Sequence, residues 1–351
     1  MMAAKAILCG YYGQGNGGDE ALLATLLQML PKAWQPIVLS GNPWQTYQQY
    51  GVQAYDRRSA RQLLQAFAGS GAFIWGGGSL MQDATSWASP LYYGGLMGLA
   101  QQRGLKTIAW AQGLGPLRRP LTRWLTRQCL RGATAITVRD PASATLVQDW
   151  RLSCQLAPDP VWALEAEPWI GDALPENAVA VNLRRHRNLT PARLTTLTQA
   201  LQRFQQATET FLVLLPFQAS QDLAIAEQIA PQLPGAHRIV LETDPRKLKG
   251  IFQELRFTIG MRLHSLIMAL SEGCPSFALS YDPKVSQLMA IIDCPGYELA
   301  QLPDSPVEIA QAWTRAWGRS QPATIQNKAQ QLCEQAQVHQ QVLQRVLMGR
   351  E

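Results

Sequence analysis

The chain has 351 residues, 47% hydrophobic and only 16% charged, a length that suits two cores better than one and a composition that excludes disorder. Its net charge of +6 points to anionic company, yet no Lys/Arg block interleaved with aromatics marks a nucleic-acid groove. No apolar run reaches the roughly 18 residues of a membrane span, and the apolar stretch in MMAAKAILCGYYG is short for a signal peptide, so a cytoplasmic protein is expected.

Short apolar, β-prone runs follow in chain order: AILCG, PIVLS, AFIWGGG, TIAWAQG, AITVRD and CQLAPD, each separated by a helix-length segment. That is the βαβ rhythm of a doubly wound parallel sheet. Between 160 and 177 the rhythm pauses in a stretch of prolines and acids without a periodic face, where a linker is expected. It resumes with AVAVNLRR, TFLVLLPFQ, RIVLE, FTIGMRLHS and PSFALSYD. The reading is an α/β protein with one Rossmann-like domain over residues 1–165 and a second over 176–320, facing a central cleft. A segment over 321–351 ends the chain, with a polar helix from Thr324 to about Leu347 that reads as too Gln-rich for a core element and as able to cross back. Arg118, Arg119, Arg123, Arg127 and Arg131, with Trp124 and Leu125 among them, fit an amphipathic helix whose basic face is either solvated or rests on phospholipid headgroups. The six cysteines form no C-x-x-C pair, which suggests neither a zinc site nor a disulfide framework.

Ligands of such folds bind at the carboxyl ends of the strands, so the loops there carry the functional argument. YYGQGNGGDEALL spells G-x-G-x-x-G before a helix, but no Asp or Glu lies between Glu20 and Asp56 to hold a ribose, and a dinucleotide site needs one. Asp19 and Glu20 stand at the helix start, where a carboxylate satisfies free N–H groups in place of a phosphate. Asp19 is then either a cap or a site residue. Gly76, Gly77 and Gly78 of IWGGGSLMQD, and Gln112, Gly113 and Gly115 of AWAQGLGP, suggest close backbone approach to a ligand. In TVRDPAS, Asp140 reads as a helix cap; Arg139 is an anion clamp or the partner of Asp140.

In the second half, Arg184, Arg185, His186 and Arg187 follow a strand directly. Arg262 and His264 fall in the first turn of the helix after FTIG, where cations are unfavourable unless an anion sits among them. Lys284 lies at a neighbouring strand end, so these three can converge on one anion.

Taken in order, GYYGQGNGGDEALL, IWGGGSLMQD, AWAQGLGP, TVRDPAS, GMRLHS and YDPK resemble the polysaccharide pyruvyl transferase family, in particular its CsaB-type members, from about Gly10 to Lys284. The resemblance implies a GT-B-like pair of domains and transfer of a pyruvyl group from phosphoenolpyruvate, a co-substrate, with no cofactor. The product would be a pyruvate ketal on a sugar of a cell-surface polysaccharide or its lipid-linked precursor. It implies Arg262, Leu263, His264 and Lys284 as donor ligands, joined by Arg139, with Arg184 and Arg185 as competitors for that place. His264 is the expected general acid; Asp19, Glu20 or Asp83 the base; Asn16, Gly18, Gly77, Gly78 and Gln112 the acceptor contacts. No metal is called for. A sugar or lipid-linked saccharide is the expected partner, with contact at the inner membrane face open. The alternative is a nucleotide-sugar glycosyltransferase or epimerase, with Glu272 as the only acid soon after GMRLHS.

Overall fold

The computed structural model describes residues 4–84, 86–319 and 323–349, so residues 321, 322, 350 and 351 of the expected last segment lie outside the described range. The chain forms two compact units. Unit 1 holds residues 1–14, 19–164 and 332–351; unit 2 holds 15–18 and 165–331.

Unit 1 runs β1 (Ala4–Cys9), α1 (Gly17–Met29), β2 (Trp34–Ser40), α2 (Pro43–Tyr50), β3 (Gln53–Asp56), α3 (Ala60–Phe67), β4 (Ser70–Gly78), α4 (Ala88–Gln102), β5 (Lys106–Gln112), α5 (Pro120–Arg131), β6 (Ala135–Val138), α6 (Pro141–Asp149) and β7 (Gln155–Leu156). Its seven strands are parallel, ordered β3-β2-β1-β4-β5-β6-β7. Side chains alternate across a strand, and here both faces are apolar. Ile7, Cys9, Ile37, Leu39, Phe73 and Trp75 pack on one side with Met97 and Val147. Ala6, Leu8, Val38, Ala72, Ile74 and Trp110 pack on the other with Leu23 and Leu26.

Unit 2 repeats the plan with β8 (Ala178–Asn182), α7 (Pro191–Thr208), β9 (Phe211–Leu214), α8 (Ala219–Ile229), β10 (His237–Ile239), α9 (Pro245–Ile251), β11 (Phe257–Gly260), α10 (Leu263–Ser271), β12 (Ser276–Ser280), α11 (Pro283–Ile292), β13 (Gly296–Glu298) and α12 (Pro306–Trp317). The order is β10-β9-β8-β11-β12-β13, again parallel. Val179, Val181, Leu212, Leu214, Ile259 and Leu279 meet Leu197, Leu201, Phe204 and Trp313 in its main core.

Two short strands, β3 and β13, carry no apolar run, because each is only half buried. The C-terminal reading needs correction. The polar segment is two helices, α13 (Ala323–Ala336) and α14 (Val338–Met348), and α14 is a core element: Leu343 and Leu347 complete the second face of the first sheet. His339 is fully buried between Thr137 Oγ1, 2.9 Å from its Nδ1, and the Pro158 carbonyl, 2.8 Å from its Nε2. Burial holds its pKa down at about 4, so the ring is neutral. Its Nε2–H donates to Pro158, and its Nδ1 accepts from the hydroxyl of Thr137. The same Thr137 oxygen accepts from Ala111 N–H (2.6 Å), at an irregularity of β5. The tail's glutamines face outward while its apolar residues fill a sheet face that would otherwise be bare.

Candidate active site

In each sheet the strand order reverses between the first and fourth strands of that unit, and the carboxyl ends at this point are where α/β sheets bind ligands. In unit 2 the reversal lies between β8 and β11, with Gly260 beside Asn182. Asn182 is buried and ties the rim together. Its Oδ1 accepts from Arg262 N–H (3.0 Å) and the Ser265 hydroxyl (3.1 Å), and its Nδ2 donates to Leu215 O (2.9 Å).

Arg262, the residue before α10, is buried, and its guanidinium forks onto Asp222 with Nε and Nη2 each 2.7 Å from a carboxylate oxygen. Asp222 also accepts from the Phe217 and Gln218 amides at 3.0 Å. The anion that the sequence demands beside Arg262 is therefore present inside the chain. Its sequence signal was an acid in the first turn of the helix after LLPFQ. Such a buried pair fixes geometry more than it stabilises. Arg184 differs. Its Nη1 donates to Tyr281 Oη (2.8 Å) and its Nη2 to Gln221 Oε1 (3.0 Å), and it lies 4.9 Å from the Tyr281 ring centroid. No carboxylate faces it among the described residues, and its buried Nε has no hydrogen-bond partner there. Gln221 Oε1 also lies 3.4 Å from Arg262 Nη2, so both guanidinium groups gather on one amide. Tyr281 opens the YDPK motif, whereas Gln221 and Asp222 belong to none of the quoted motifs.

Arg185 and Arg187 are exposed. His186 packs against Tyr281 with the rings tilted by 52° and centroids 4.8 Å apart, and burial together with Arg184 and Arg187 lowers its pKa. Lys284 stands half-buried in the first turn of α11, its amide donating to the cap Asp282 (2.9 Å). Leu263 and His264 open α10, both half-buried.

Residues Gly15–Gly18, which follow β1 in the chain, belong to unit 2. Gly17 N–H donates to Phe217 O (2.7 Å), and Gly18 N–H to Asn16 Oδ1 (3.2 Å). A Cβ on Gly18 would lie 2.2 Å from His264 Nδ1. The glycine is required because the imidazole packs on its backbone. The structure thus brings Asn16 and Gly18 together with His264.

The loop after β1 is closed from within. Glu20, buried, accepts from Gly13 N–H (2.8 Å) and Gln14 N–H (3.4 Å), occupying donors that a dinucleotide phosphate would use. Burial raises its carboxyl to about 7, the Gly13 bond opposing and Asp19 adding to the shift. Asp19 is half-buried, 3.5 Å from where a Cβ of Gly78 would stand.

Four expectations are corrected in unit 1. Gly76, Gly77 and Gly78 are strand residues of β4; Gly76 leaves room for the buried Tyr12, whose hydroxyl donates to Gly76 O, and a Cβ on Gly77 would touch Leu22. Their close approach is to the protein itself. Gln112 is fully buried, its Nε2 donating to Trp110 O (2.9 Å), so it meets no solvent. Asp83 accepts from the Arg118 and Arg119 amides (2.9 Å each) and the Thr122 hydroxyl (2.6 Å) at the start of α5. Desolvation is the largest single influence and raises its pKa, but these bonds and the Arg119 charge together outweigh it and lower the pKa from its ordinary value, which suits a cap and not a base. Arg139 pairs with Asp159, both side chains buried, while Asp140 caps α6 through Ser143 N–H (2.8 Å).

Arg57, after the unread strand β3, was missed. It donates to Gly10 O (3.2 Å) and Tyr93 Oη (3.1 Å), with the rings of Tyr11, Tyr92 and Tyr93 at 5.7, 5.1 and 5.4 Å. Among the described residues no group of His, Cys, Asp or Glu is placed to hold a metal ion, and no helix is long and apolar enough to cross a membrane.

A family model described as polysaccharide pyruvyl transferase matches residues 16–283. The chain belongs to this transferase family. The match includes Asn16, Arg184 and the Arg262–His264 turn and stops one residue before Lys284. The chain matches none of the curated proteins. Among solved structures, a putative UDP-N-acetylglucosamine 2-epimerase from Listeria monocytogenes is 11% identical, over 99% of this chain and 97% of that one, with a TM-score of 0.66. S. aureus MnaA, solved with UDP, is 12% identical over 98% and 96%, with a TM-score of 0.69. An Anabaena protein solved with UDP and glucose is 12% identical over 99% and 100%, with a TM-score of 0.60. At these identities the likeness is one of fold. It places the family member among proteins built from two Rossmann-like domains.

Proposed function

We propose that this family member transfers the pyruvyl group of phosphoenolpyruvate to two hydroxyls of one sugar in a cell-surface polysaccharide or its lipid-linked precursor, on the cytoplasmic side where the donor is made. The observation that carries the reading is the gathering of Arg184 and Arg262 on Gln221 at the reversal point of the second sheet, with Arg184 lacking a carboxylate among the described residues. A donor with a carboxylate and a phosphate suits planar cations held at fixed angles. Arg262, immobilised by Asp222, would present its remaining Nη1; Arg184 and Lys284 would supply further positive charge.

In the chemistry, a proton goes to the methylene carbon and one sugar hydroxyl adds to the neighbouring carbon. The C–O bond to phosphate then breaks as the second hydroxyl closes the ketal, and both hydroxyl protons leave to base or to phosphate. One phosphate leaves for each ketal formed, and no further co-reactant is needed. His264, held against Gly18, is the proton donor in this scheme. Asp19, the residue after Gly18 in the chain and half-buried in the first turn of α1, would take a hydroxyl proton.

Glu272, the acid named for the nucleotide-sugar alternative, does not stand at this rim. Glu272 ends α10 and pairs with Lys249 at 3.2 Å, about 13 Å of helix from the turn that holds Arg262. The test is phosphate release by the purified protein, dependent on both phosphoenolpyruvate and a saccharide acceptor. His264→Gln should lower the rate by roughly 10²–10⁴-fold. Stabilisation by UDP-sugars with none by phosphoenolpyruvate, and no phosphate release, would overturn the proposal.

A further inference from the structure

The helix α5 carries a surface that the transfer chemistry does not use. Its inner face, Thr122, Thr126, Cys129 and Leu130, is buried. Its outer face exposes Leu121 (59%) and Trp124 (57%), and Arg118, Arg119, Arg123, Arg127 and Arg131 are exposed on it or just before it. PLTRWLTRQCLR contains no acid; the one carboxylate at its start, Asp83, accepts from the Arg118 and Arg119 amides and offsets part of the Arg119 charge. Trp87, 54% exposed at the start of α4, joins this surface through Arg119, whose guanidinium lies 6.0 Å from its ring. Both helices begin where β4 and β5 end, so Trp87 and Leu121 stand at the carboxyl rim of the first sheet.

We infer that this face docks the protein on an anionic phospholipid bilayer. Two observations choose a bilayer over a dissolved polyanion. Arginines alone would serve either partner, but two tryptophans and a leucine exposed among them gain only where an apolar layer lies beneath the charged one. Indole rings favour that boundary, and arginine stems reach back from it to the headgroups. The positive charge of the helix is unrelieved by any acid of its own, which complements an anionic leaflet. The inference goes beyond the donor chemistry and stands whether or not phosphoenolpyruvate is the donor. It places the carboxyl rim of the first sheet next to the membrane, within reach of a saccharide carried on a lipid.

The test is sedimentation of the full chain with phosphatidylcholine vesicles made with and without phosphatidylglycerol. The wild type should sediment with the anionic vesicles only, and less as salt rises. Arg118, Arg127 and Arg131 are exposed and make no side-chain hydrogen bond, ion pair or ring contact among the described residues, so Arg118→Gln/Arg127→Gln/Arg131→Gln tests charge with little disturbance of the fold and should weaken binding roughly a hundredfold. Leu121→Ser/Trp124→Ser should weaken it at least about tenfold while leaving retention on heparin unchanged. Absence of binding to anionic vesicles, or wild-type binding by the serine variant, would overturn the proposal; the latter would show a polyanion site instead.

Discussion

The two sheets share a strand order but resolve their reversal points with opposite charge. In unit 1 the loop after β1 folds onto Glu20, whose carboxyl takes the loop amides, and Tyr12 fills the space beside Gly76. In unit 2 the same topological position holds Asn182, Arg184 and Arg262, with Asp222 paired to Arg262 and no carboxylate paired to Arg184 among the described residues. One rim closes on itself; the other retains unbalanced positive charge. A fold supplies a place for a ligand, and the residues placed there decide its sign.

The largest effect should come from breaking that balance. Asp222→Ala leaves the buried Arg262 without a counter-ion and two amides without an acceptor, a loss of about 3 to 5 kcal/mol, measured by urea denaturation. An unchanged unfolding midpoint would show that the pair does not organise the rim.

Next come two opposite pH dependences. His339 has its folded pKa depressed to about 4 from 6.5, so the unfolded chain binds more protons between these values. Stability is full above pH 6.5 and falls on acidification toward 4, by on the order of 3 kcal/mol. Glu20 has its folded pKa raised to about 7 from 4.5, so its contribution is full below pH 4.5 and is lost as pH rises through 7, again by on the order of 3 kcal/mol. His339→Gln should flatten the acid limb, and Glu20→Gln should stabilise the protein above pH 7 relative to wild type. Denaturation midpoints measured across pH 4 to 8 check both.

Arg184→Gln removes the guanidinium that lacks a carboxylate. It should weaken phosphoenolpyruvate by about 1.5 to 3 kcal/mol, a tenfold to hundredfold rise in KM, with little change in thermal midpoint. The smallest effect belongs to Asp83→Ala, about 1 kcal/mol of stability as a lost helix cap, with kcat unchanged. A collapse of kcat would return Asp83 to the catalytic candidates.

The alternation of apolar runs with helical segments made the two sheets legible, because parallel strands are buried on both faces and read as continuous hydrophobic stretches. QAYD and GYE escaped because half-buried strands carry no such stretch, and Arg57, just after QAYD, went with them. The motif residues Asn16, Gly18, His264 and Lys284 could be picked out singly. Arg139 was picked out too, but its partner Asp159 lies twenty residues on, beyond any local pattern. Glycines were misread in one respect: at Gly18 and Gly76 the close neighbour is a side chain of the protein, His264 or Tyr12.

The sequence by itself determined the fold class and the family, since periodicity and ordered motifs are local properties that survive without coordinates. Tertiary structure alone decided which charges are already neutralised. Whether Arg262 meets Asp222, whether Arg184 meets no acid among the described residues, and whether a glutamine-rich tail buries His339 depend on distances across strands, and Coulomb and desolvation energies are set by those distances rather than by order along the chain.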